Sequence, residues 1–229
     1  MSEILATLTS VSKTYQKGKE NVEVLHNLDI EIPKGDFIAI MGPSGSGKTT
    51  LLNLLGGLDK PTAGTVRVGD AEISSMSNNQ LSRWRSTNIG FIFQFYNLLP
   101  VLTAQKNVEL PLLLTNFGSA ERAHRAGIAL EIVGLEGRTD HYPRVLSGGQ
   151  EQRVAIARAI VSDPMLLLCD EPTGDLDRET AAEILGLLQI LNREHGKTIV
   201  MVTHDAQAAE FANRTMICDK GTLEHREAV

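Results

Sequence analysis

The segment from Gly42 to Thr49 has the residue types and spacing of a phosphate-binding loop. It reads Gly42-Pro43-Ser44-Gly45-Ser46-Gly47-Lys48-Thr49 and fits the pattern G-x-x-x-x-G-K-[ST]. Glycines let backbone N–H groups approach a phosphate, Lys48 adds positive charge for the terminal phosphates, and the Thr49 hydroxyl suits Mg²⁺. A glycine-rich turn matches by chance in roughly one chain in a hundred of this size. We therefore predict ATP or GTP binding, by these residues and Thr50.

Two adjacent carboxylates follow a short apolar run, at Asp170 and Glu171. In open α/β sheets ligands bind outside the carboxyl ends of the strands, where these acids would lie. Asp170 is placed to hold Mg²⁺, and Glu171 to polarise the water that attacks the terminal phosphate. A solvated turn before Pro172 would explain the pair if it stood alone. Together with the phosphate loop, it predicts a hydrolytic site.

Strand and helix patterns around these groups predict an α/β fold. Strand-like segments are expected near Ile4–Val11, Val24–Ile32, Phe37–Met41, Thr65–Val68, Met165–Cys169 and Thr198–Val202. Helices are expected at Lys48–Leu55, at Gln150–Ile160 and at Arg178–Glu194, the last with Ile184, Leu187, Leu188 and Leu191 at helical spacing. Strands that alternate with helices favour a parallel sheet. Residues from about 103 to 160 have helical patterning and read as an insertion into it.

The segment Leu146-Ser147-Gly148-Gly149-Gln150 can cap a helix and present an anion site at its N-terminus. Alone it would be an ordinary helix cap. With Gln152-Arg153 and Ala157-Arg158-Ala159 behind it, it resembles the signature motif of ABC ATPases. Residues in the order of the family's other motifs extend the resemblance over essentially the whole chain.

The resemblance implies roles for residues that would otherwise be unremarkable. Tyr15 looks like the aromatic that stacks on adenine, with Val24 as an apolar neighbour, and Gln94 like the glutamine that touches Mg²⁺ or water and senses the membrane partner. Asp177 looks like part of the loop that crosses between subunits, and His204 like the histidine that contacts the γ-phosphate. The implied catalytic residues are Lys48, Gln94, Glu171 and His204, and the implied Mg²⁺ ligands are Thr49, Gln94 and Asp170.

The resemblance also implies how subunits assemble. In the family, two ATP molecules lie between head-to-tail subunits, so Ser147, Gly149, Gln150 and Asp177 of one copy would complete the ATP site of the other. A γ-phosphate between two helix N-termini would hold such a dimer together. Asp175 stands where asparagine or alanine is commoner in relatives, with no consequence that the sequence alone reveals.

The resemblance places the whole chain, 1–229, in one ABC ATPase domain with a phosphate-loop (RecA-like) core. Residues 1–94 and 162–229 are expected to form that core together with an N-terminal antiparallel β subdomain. Residues 95–161 are expected to form an inserted α-helical subdomain that carries the signature motif.

Composition restricts the class of protein. The formal net charge is −6, which argues against a protein that coats nucleic acid. Cys169 and Cys218 lie in apolar strand-like runs and are expected to be packing residues rather than a disulfide. We expect no signal peptide, since no basic segment precedes a long apolar stretch, and no run reaches the ~20 residues that span a bilayer. The chain is expected to be cytoplasmic and to reach a membrane only through a partner.

Several segments before and after Gln94 are similar to those of the lipoprotein-release and macrolide-export branch of the family. The segments Phe91–Pro100, Leu102-Thr103-Ala104 and Asn107–Pro111 carry this similarity, as does Gly57-Leu58-Asp59. It implies an integral-membrane permease as partner and a role in export or extraction, with the cargo chosen by that permease. A soluble ABC-type ATPase acting on nucleic acid or the ribosome, and a phosphate-loop kinase, are the alternatives. Such soluble ATPases usually need a second ATPase domain, a coiled coil or basic arms, and a kinase would leave the signature motif unexplained.

The segment from Phe95 to Pro100 reads as a loop with two aromatics and two leucines. Apolar loop residues either pack into the core or form a docking patch. In relatives a short permease helix lies beside this loop. We therefore expect a docking groove here, with Leu99 or Tyr96 as its anchor.

Overall fold

The computed structural model describes residues 3–18 and 20–225, so residues 1–2, 19 and 226–229 of the predicted domain lie outside the described residues. Strands and helices alternate along most of the chain, with short 3-10 turns between some of them. The first part contains β1 (Ile4–Lys17), β2 (Glu20–Pro33), β3 (Phe37–Met41), α1 (Lys48–Leu55), β4 (Ala63–Val68), β5 (Ala71–Glu72), α2 (Asn78–Asn88) and β6 (Ile89–Phe93). The second contains α3 (Ala104–Glu109), α4 (Ser119–Ile132), α5 (Gly148–Ile160), β7 (Leu166–Asp170), α6 (Arg178–Arg193), β8 (Thr198–Thr203), α7 (Ala206–Ala209), β9 (Arg214–Asp219) and β10 (Thr222–His225).

A six-stranded sheet in the order β10-β9-β3-β8-β7-β6 forms the centre of the molecule. Its strands are parallel except for the edge strand β10, which pairs antiparallel with β9. Met41 pairs with Thr203, and Asp170 pairs with both Val202 and Phe93. Because β3, β6, β7 and β8 end in register, the residues that follow them emerge at one edge of the sheet.

Both faces of this sheet are buried, as expected for parallel strands. Side chains alternate along β3: Phe37 and Ala39 face one apolar cluster, and Ile38 and Ile40 face the other. The first cluster contains buried residues of α3, α4, α5, α6 and α7. The second contains residues of α1 and of the antiparallel strands. The sheet is therefore the middle layer between helices on one side and α1 with a second sheet on the other.

The second sheet is antiparallel and has the order β2-β1-β4-β5. Its strands β1 and β2 run longer than the sequence pattern predicts. Register shifts between Leu8 and Val11 and a positive φ of 51° at Ser10 mark an irregularity that lets β1 continue past it. Tyr15 consequently lies on a strand, paired with Val22.

Helices α3, α4 and α5 occupy the chain between β6 and β7 and pack on one another. The predicted α/β core, antiparallel sheet and helical insertion are thus confirmed. Helix α6 buries Ile184, Leu187, Leu188 and Leu191, the four residues predicted from helical spacing. Over the described residues, no helix combines the length and apolar character needed to cross a membrane.

Candidate functional site

An open cleft of about 830 Å³ lies at the carboxyl edge of the six-stranded sheet. Its walls combine the phosphate loop with residues that follow β6, β7 and β8. The lining residues are Val24, Ser44, Gly45, Gly47, Lys48, Thr49, Thr50, Phe93, Gln94, Phe95, Asn97, Asp170, Glu171 and His204. Phosphate-loop residues thus meet Gln94, Asp170, Glu171 and His204 in one cavity. Phe93, Phe95 and Asn97 were not predicted to line this cleft, since the sequence analysis assigned Phe95 and Asn97 to the expected docking loop and gave Phe93 no role in the site.

The phosphate loop joins β3 to α1 and encloses the Lys48 side chain. Its Nζ donates hydrogen bonds to the carbonyl oxygens of Gly42, at 2.8 Å, and Pro43, at 2.9 Å. The Oγ of Ser46 is buried and has no hydrogen-bond partner within the described residues. Buried polar atoms are nearly always hydrogen-bonded, so this hydroxyl fits a ligand oxygen. The N-terminus of α1, which favours anions, opens on the same loop.

Two glycines of the loop leave no room for a side chain. A Cβ on Gly42 would lie 2.0 Å from the carbonyl oxygen of Cys218, and one on Gly47 would lie 2.7 Å from Leu25 Cδ2. Gly47 also has a φ of 105°, a conformation that L-residues rarely adopt. The backbone can therefore curl as tightly as phosphate binding requires.

Thr49 and Asp170 bring a hydroxyl and a carboxylate together beside the loop. Thr49 Oγ1 lies 3.3 Å from Asp170 Oδ1. Burial raises the pKa of Asp170, and the charge of Glu171 adds to this rise, while the contacts with Thr49 and Lys48 oppose it. A partly buried carboxylate beside a hydroxyl and an amide oxygen is a donor set that suits Mg²⁺, and Gln94 lines the same cleft. The residues present therefore fit the cation.

Glu171 and His204 contact each other across the ends of β7 and β8. His204 Nδ1 lies 3.0 Å from Glu171 Oε1, and the His204 backbone N–H donates to Oε2 at 3.3 Å. Glu171 has a φ of 49°, unusual for a non-glycine residue, and its N–H donates to the carbonyl of Val202. Such strain concentrates at functional sites. Here it turns a carboxylate out of the sheet and into the cleft.

Gln94 is held by the loop that follows Glu171. Its Nε2 donates to Asp175 Oδ1 at 3.1 Å, and a Cβ on Gly174 would lie 2.8 Å from the same nitrogen. A carboxylate can only accept, so the amide must turn its N–H₂ group toward Asp175. Its oxygen therefore points away from Asp175.

Tyr15 lies on β1, near the cleft but outside the set of residues that line it. Its side chain is partly exposed, and its hydroxyl donates to Asp59 Oδ2 at 2.8 Å. Val24, its expected apolar neighbour, does line the cleft. If the phosphates of a nucleotide lie in the phosphate loop and its base extends past Val24, that base can contact the exposed ring of Tyr15.

The signature residues do not join this cleft. Ser147 caps α5, with its Oγ accepting from the Gln150 N–H at 3.3 Å and Gln150 Oε1 accepting from the Ser147 N–H at 3.1 Å. Asp177 caps α6 and accepts from the N–H groups of Glu179 and Thr180. Hydrogen bonds from the Thr180 N–H and hydroxyl lower the pKa of Asp177. Ser147 and Asp177 are both exposed. Gly149 approaches Thr180 so closely that a Cβ on this glycine would lie 2.4 Å from Thr180 Cγ2.

Comparisons with known proteins agree with this geometry. The family model described as ABC transporter matches residues 25–174. The chain is 46% identical over 227 residues to the lipoprotein-releasing system ATP-binding protein LolD of Legionella pneumophila, covering 99% of this chain and 100% of that protein. It is 49% identical over 218 residues to the macrolide export ATP-binding/permease protein MacB of Rhodopirellula baltica, covering 94% of this chain and 32% of that longer protein.

A solved structure of an ATP-binding cassette has the same fold. The dimeric structure of the ATP-binding cassette MJ0796, in a post-hydrolysis state bound to ADP and Pi, has a TM-score of 0.88 and 43% sequence identity. The match covers 98% of this chain and 100% of that one. A protein of this name is known from Methanocaldococcus jannaschii. The chain belongs to the ABC transporter family, as one of the ATP-binding cassettes that hydrolyse ATP with Mg²⁺.

Proposed function

We propose that this chain works as a head-to-tail pair of ATPase subunits docked on a separate integral-membrane permease, at the cytoplasmic face of the membrane. ATP binding would close the pair, and hydrolysis to ADP and phosphate would release it. The helical segment 95–161 of one copy would place its signature residues against the ATP site of the other copy. Similarity to LolD and MacB supports export or extraction of a substrate that the permease selects.

The phosphate loop and the four polar residues Gln94, Asp170, Glu171 and His204 have separate places in the proposed chemistry. Residues Gly42–Thr50 would bind the triphosphate, with Lys48 against its terminal phosphates. Thr49, Gln94 and Asp170 would hold Mg²⁺, which supplies charge neutralisation on the phosphate oxygens when bound. Glu171 would take the proton of the attacking water, and His204 would contact the γ-phosphate.

One observation carries the proposal of a pair. The cleft gathers a phosphate loop, four carboxylate or amide side chains and a histidine, yet it lacks the capped N-terminus of α5. That N-terminus is exposed at Ser147 and capped by its own residues, so it is free to face another molecule. The dimeric form of the MJ0796 cassette supports a second copy of the chain as that molecule.

Complementation between two defective chains tests the pairing. Lys48→Ala removes the phosphate-loop cation, and Ser147→Arg fills the anion site of α5, so each variant alone should lack ATPase activity. In a head-to-tail pair of the two variants, one site keeps an intact loop and an intact signature. Mixing them should therefore restore activity, whereas an unrestored mixture in which both chains are folded would contradict a shared site.

The chain offers a matched control for Ser147. Ser77 caps α2 with the same box, in which its Oγ accepts from the Gln80 N–H and Gln80 Oε1 accepts from the Ser77 N–H. Ser77→Arg should lose cap stability, typically about 1 kcal/mol, and keep its ATPase activity. If both arginine variants lose activity equally, helix capping rather than the partner site explains the loss.

The permease part of the proposal is supported by the exposed apolar side chains after Gln94. Phe95 is 71% exposed, Leu99 46% and Val101 78%. They lie close in sequence to Asn97, which lines a groove of about 350 Å³ together with Phe91, Pro111, Leu114 and Arg158. A groove beside an exposed apolar loop fits a short amphipathic helix. Co-purification of the chain with a membrane protein, abolished by changes in this loop, is the expected result.

A further inference from the structure

Lys13, Tyr15 and Asp59 form a cluster beside the nucleotide cleft. Lys13 Nζ donates to Asp59 Oδ1 at 2.7 Å and to the carbonyl oxygen of Lys60 at 2.8 Å, while Tyr15 donates to Asp59 Oδ2 at 2.8 Å. Each carboxylate oxygen thus holds a different partner. The Lys13 side chain is only 11% exposed, so its ammonium depends on these oxygens for its hydrogen bonds.

The lysine also covers the tyrosine ring. Lys13 and Tyr15 are two residues apart on β1, so both side chains point to the same side of the strand. Lys13 Nζ lies 4.7 Å from the centroid of the Tyr15 ring, a cation–π contact. The ammonium covers one face of the ring. A planar group could therefore stack on the opposite face.

Asp59 connects this ring to the phosphate loop. It lies in the turn after α1, and its N–H donates to the carbonyl of Asn53 on that helix at 3.2 Å. Helix α1 begins at Lys48, so one short element holds the phosphate loop at one end and the anchor of the ring at the other.

We infer that Asp59, held in place by Lys13, positions the ring of Tyr15 for the nucleotide base and sets its distance from the phosphate loop. Asp59 is thus a positioning residue that acts through Tyr15. The inference rests on the proposed role of Tyr15 in adenine stacking. Burial favours a higher pKa for Asp59, but hydrogen bonds from Lys13, Tyr15 and the Lys60 N–H outweigh it and hold the pKa below its ordinary value. The carboxylate therefore stays charged and keeps both partners.

Asp59→Asn tests the inference, because an amide offers one acceptor oxygen where the carboxylate offers two. Calorimetry without Mg²⁺, so that hydrolysis does not interfere, would measure affinity for ATP and for inorganic tripolyphosphate. Stacking of a base on an aromatic ring is worth roughly a tenfold change in affinity or more. We expect about five- to tenfold weaker ATP binding and unchanged tripolyphosphate binding. Equal losses for both probes would overturn the inference.

Asp163→Asn is the matched control. Asp163 accepts from Lys197 Nζ, which also donates to the carbonyl of Pro164, so the pattern of a lysine, an aspartate and the next carbonyl is repeated outside the nucleotide cleft. This variant should leave both affinities unchanged. An ATP loss as large as that of Asp59→Asn would show that breaking any such pair weakens binding through the fold.

A double-mutant cycle separates positioning from a structural effect. In a Tyr15→Ala background, Asp59→Asn should cause no further loss of ATP affinity, because the ring that it positions is gone. Additive losses would overturn the positioning role while leaving Tyr15 as a base contact. An unchanged ATP affinity for Tyr15→Ala itself would overturn both that contact and the inference.

Discussion

Lys48 keeps its ammonium against two carbonyl oxygens of its own loop. The side chain is 7% exposed, so the charge is already desolvated before any phosphate arrives. Phosphate oxygens are stronger partners than neutral carbonyls for such a donor. The loop therefore presents a preformed positive centre rather than one that must be ordered on binding.

Lys48→Ala should weaken ATP binding by roughly ten- to a hundredfold, since hydrogen bonds to charged groups contribute about 1.5–3 kcal/mol. Calorimetry with ATP measures this loss. Lys197→Ala, which removes a lysine that also donates to a backbone carbonyl but does not line the cleft, is the control. An affinity unchanged by Lys48→Ala would mean that the phosphate loop is wrongly assigned.

Asp175→Ala should release Gln94, whose N–H₂ group that carboxylate orients. With the amide free to rotate, its oxygen would face the Mg²⁺ position only part of the time. We expect a severalfold higher Mg²⁺ concentration for half-maximal ATPase rate, and unchanged ATP binding without Mg²⁺. Asp175→Asn, which can still accept from Gln94, should show a smaller effect. An unaltered Mg²⁺ requirement in both variants would contradict the orienting role.

For individual residues, the sequence predicts which residue types form the site better than it predicts their contacts. Motif spacing located Lys48, Asp170 and Glu171, because each follows a buried strand or opens a helix, whereas Gln94 was indicated only by the resemblance to ABC ATPases. The contacts of Tyr15 with Asp59 and of Gln94 with Asp175 join residues 44 and 81 positions apart. No local pattern signals such pairs, since tertiary packing alone brings them together.

Among the elements, α5 determines how the loop after Gln94 is held. Arg158 Nη2 donates to the Tyr96 carbonyl at 2.7 Å and Nη1 to the Asn97 carbonyl at 2.5 Å. Tyr96 and Asn97 have φ values of 54° and 51°, so the guanidinium holds a loop turn that is unfavourable by itself. Burial lowers the pKa of Arg158, yet arginine stays charged. The turn leaves Leu98 packed on the core and Leu99 exposed.

Leu99→Asp should leave the melting temperature and basal ATPase rate nearly unchanged and abolish stimulation by the permease, because it puts an unpaired charge into an apolar contact. Thermal unfolding and ATPase rates with and without permease measure the three quantities. Ile190 on α6 is 44% exposed against 46% for Leu99 and lies outside the loop that follows Gln94, so Ile190→Asp is the control. A large drop in melting temperature for Leu99→Asp would indicate core packing, and intact stimulation would put the docking site elsewhere.

Element boundaries were predictable where packing and local pattern agree. Strand β3 and helix α1 have the predicted limits, Phe37–Met41 and Lys48–Leu55. Helix α2 was not predicted, because Leu81 is its only buried residue among those described, and Leu81 and Trp84 are its only apolar side chains. Strand β9 was indicated only by the apolar strand-like run around Cys218, without limits. The edge strand β10 was missed, since Leu223 is the only apolar residue in Thr222–His225.

For the whole molecule, α5 connects the parts that a transport cycle must coordinate. Its N-terminus carries the signature residues, and its Arg158 holds the loop that follows Gln94. In between, the buried Gln152 donates from Nε2 to the carbonyl of Phe93 at 3.3 Å and to that of Pro172. These carbonyls adjoin Gln94 and Glu171. If the permease docks at the loop after Gln94, as proposed, a movement of that loop would reach the signature and both strand ends through helix α5.

Glu171→Gln tests whether two chains share each ATP site. The amide cannot take a proton from the attacking water, so ATP should bind without turnover and hold the pair closed. Size-exclusion chromatography should show a dimer with ATP and a monomer without it, and the double variant Glu171→Gln with Ser147→Arg should remain monomeric. A Glu171→Gln chain that binds ATP normally and elutes only as a monomer would show that two chains do not share each ATP site.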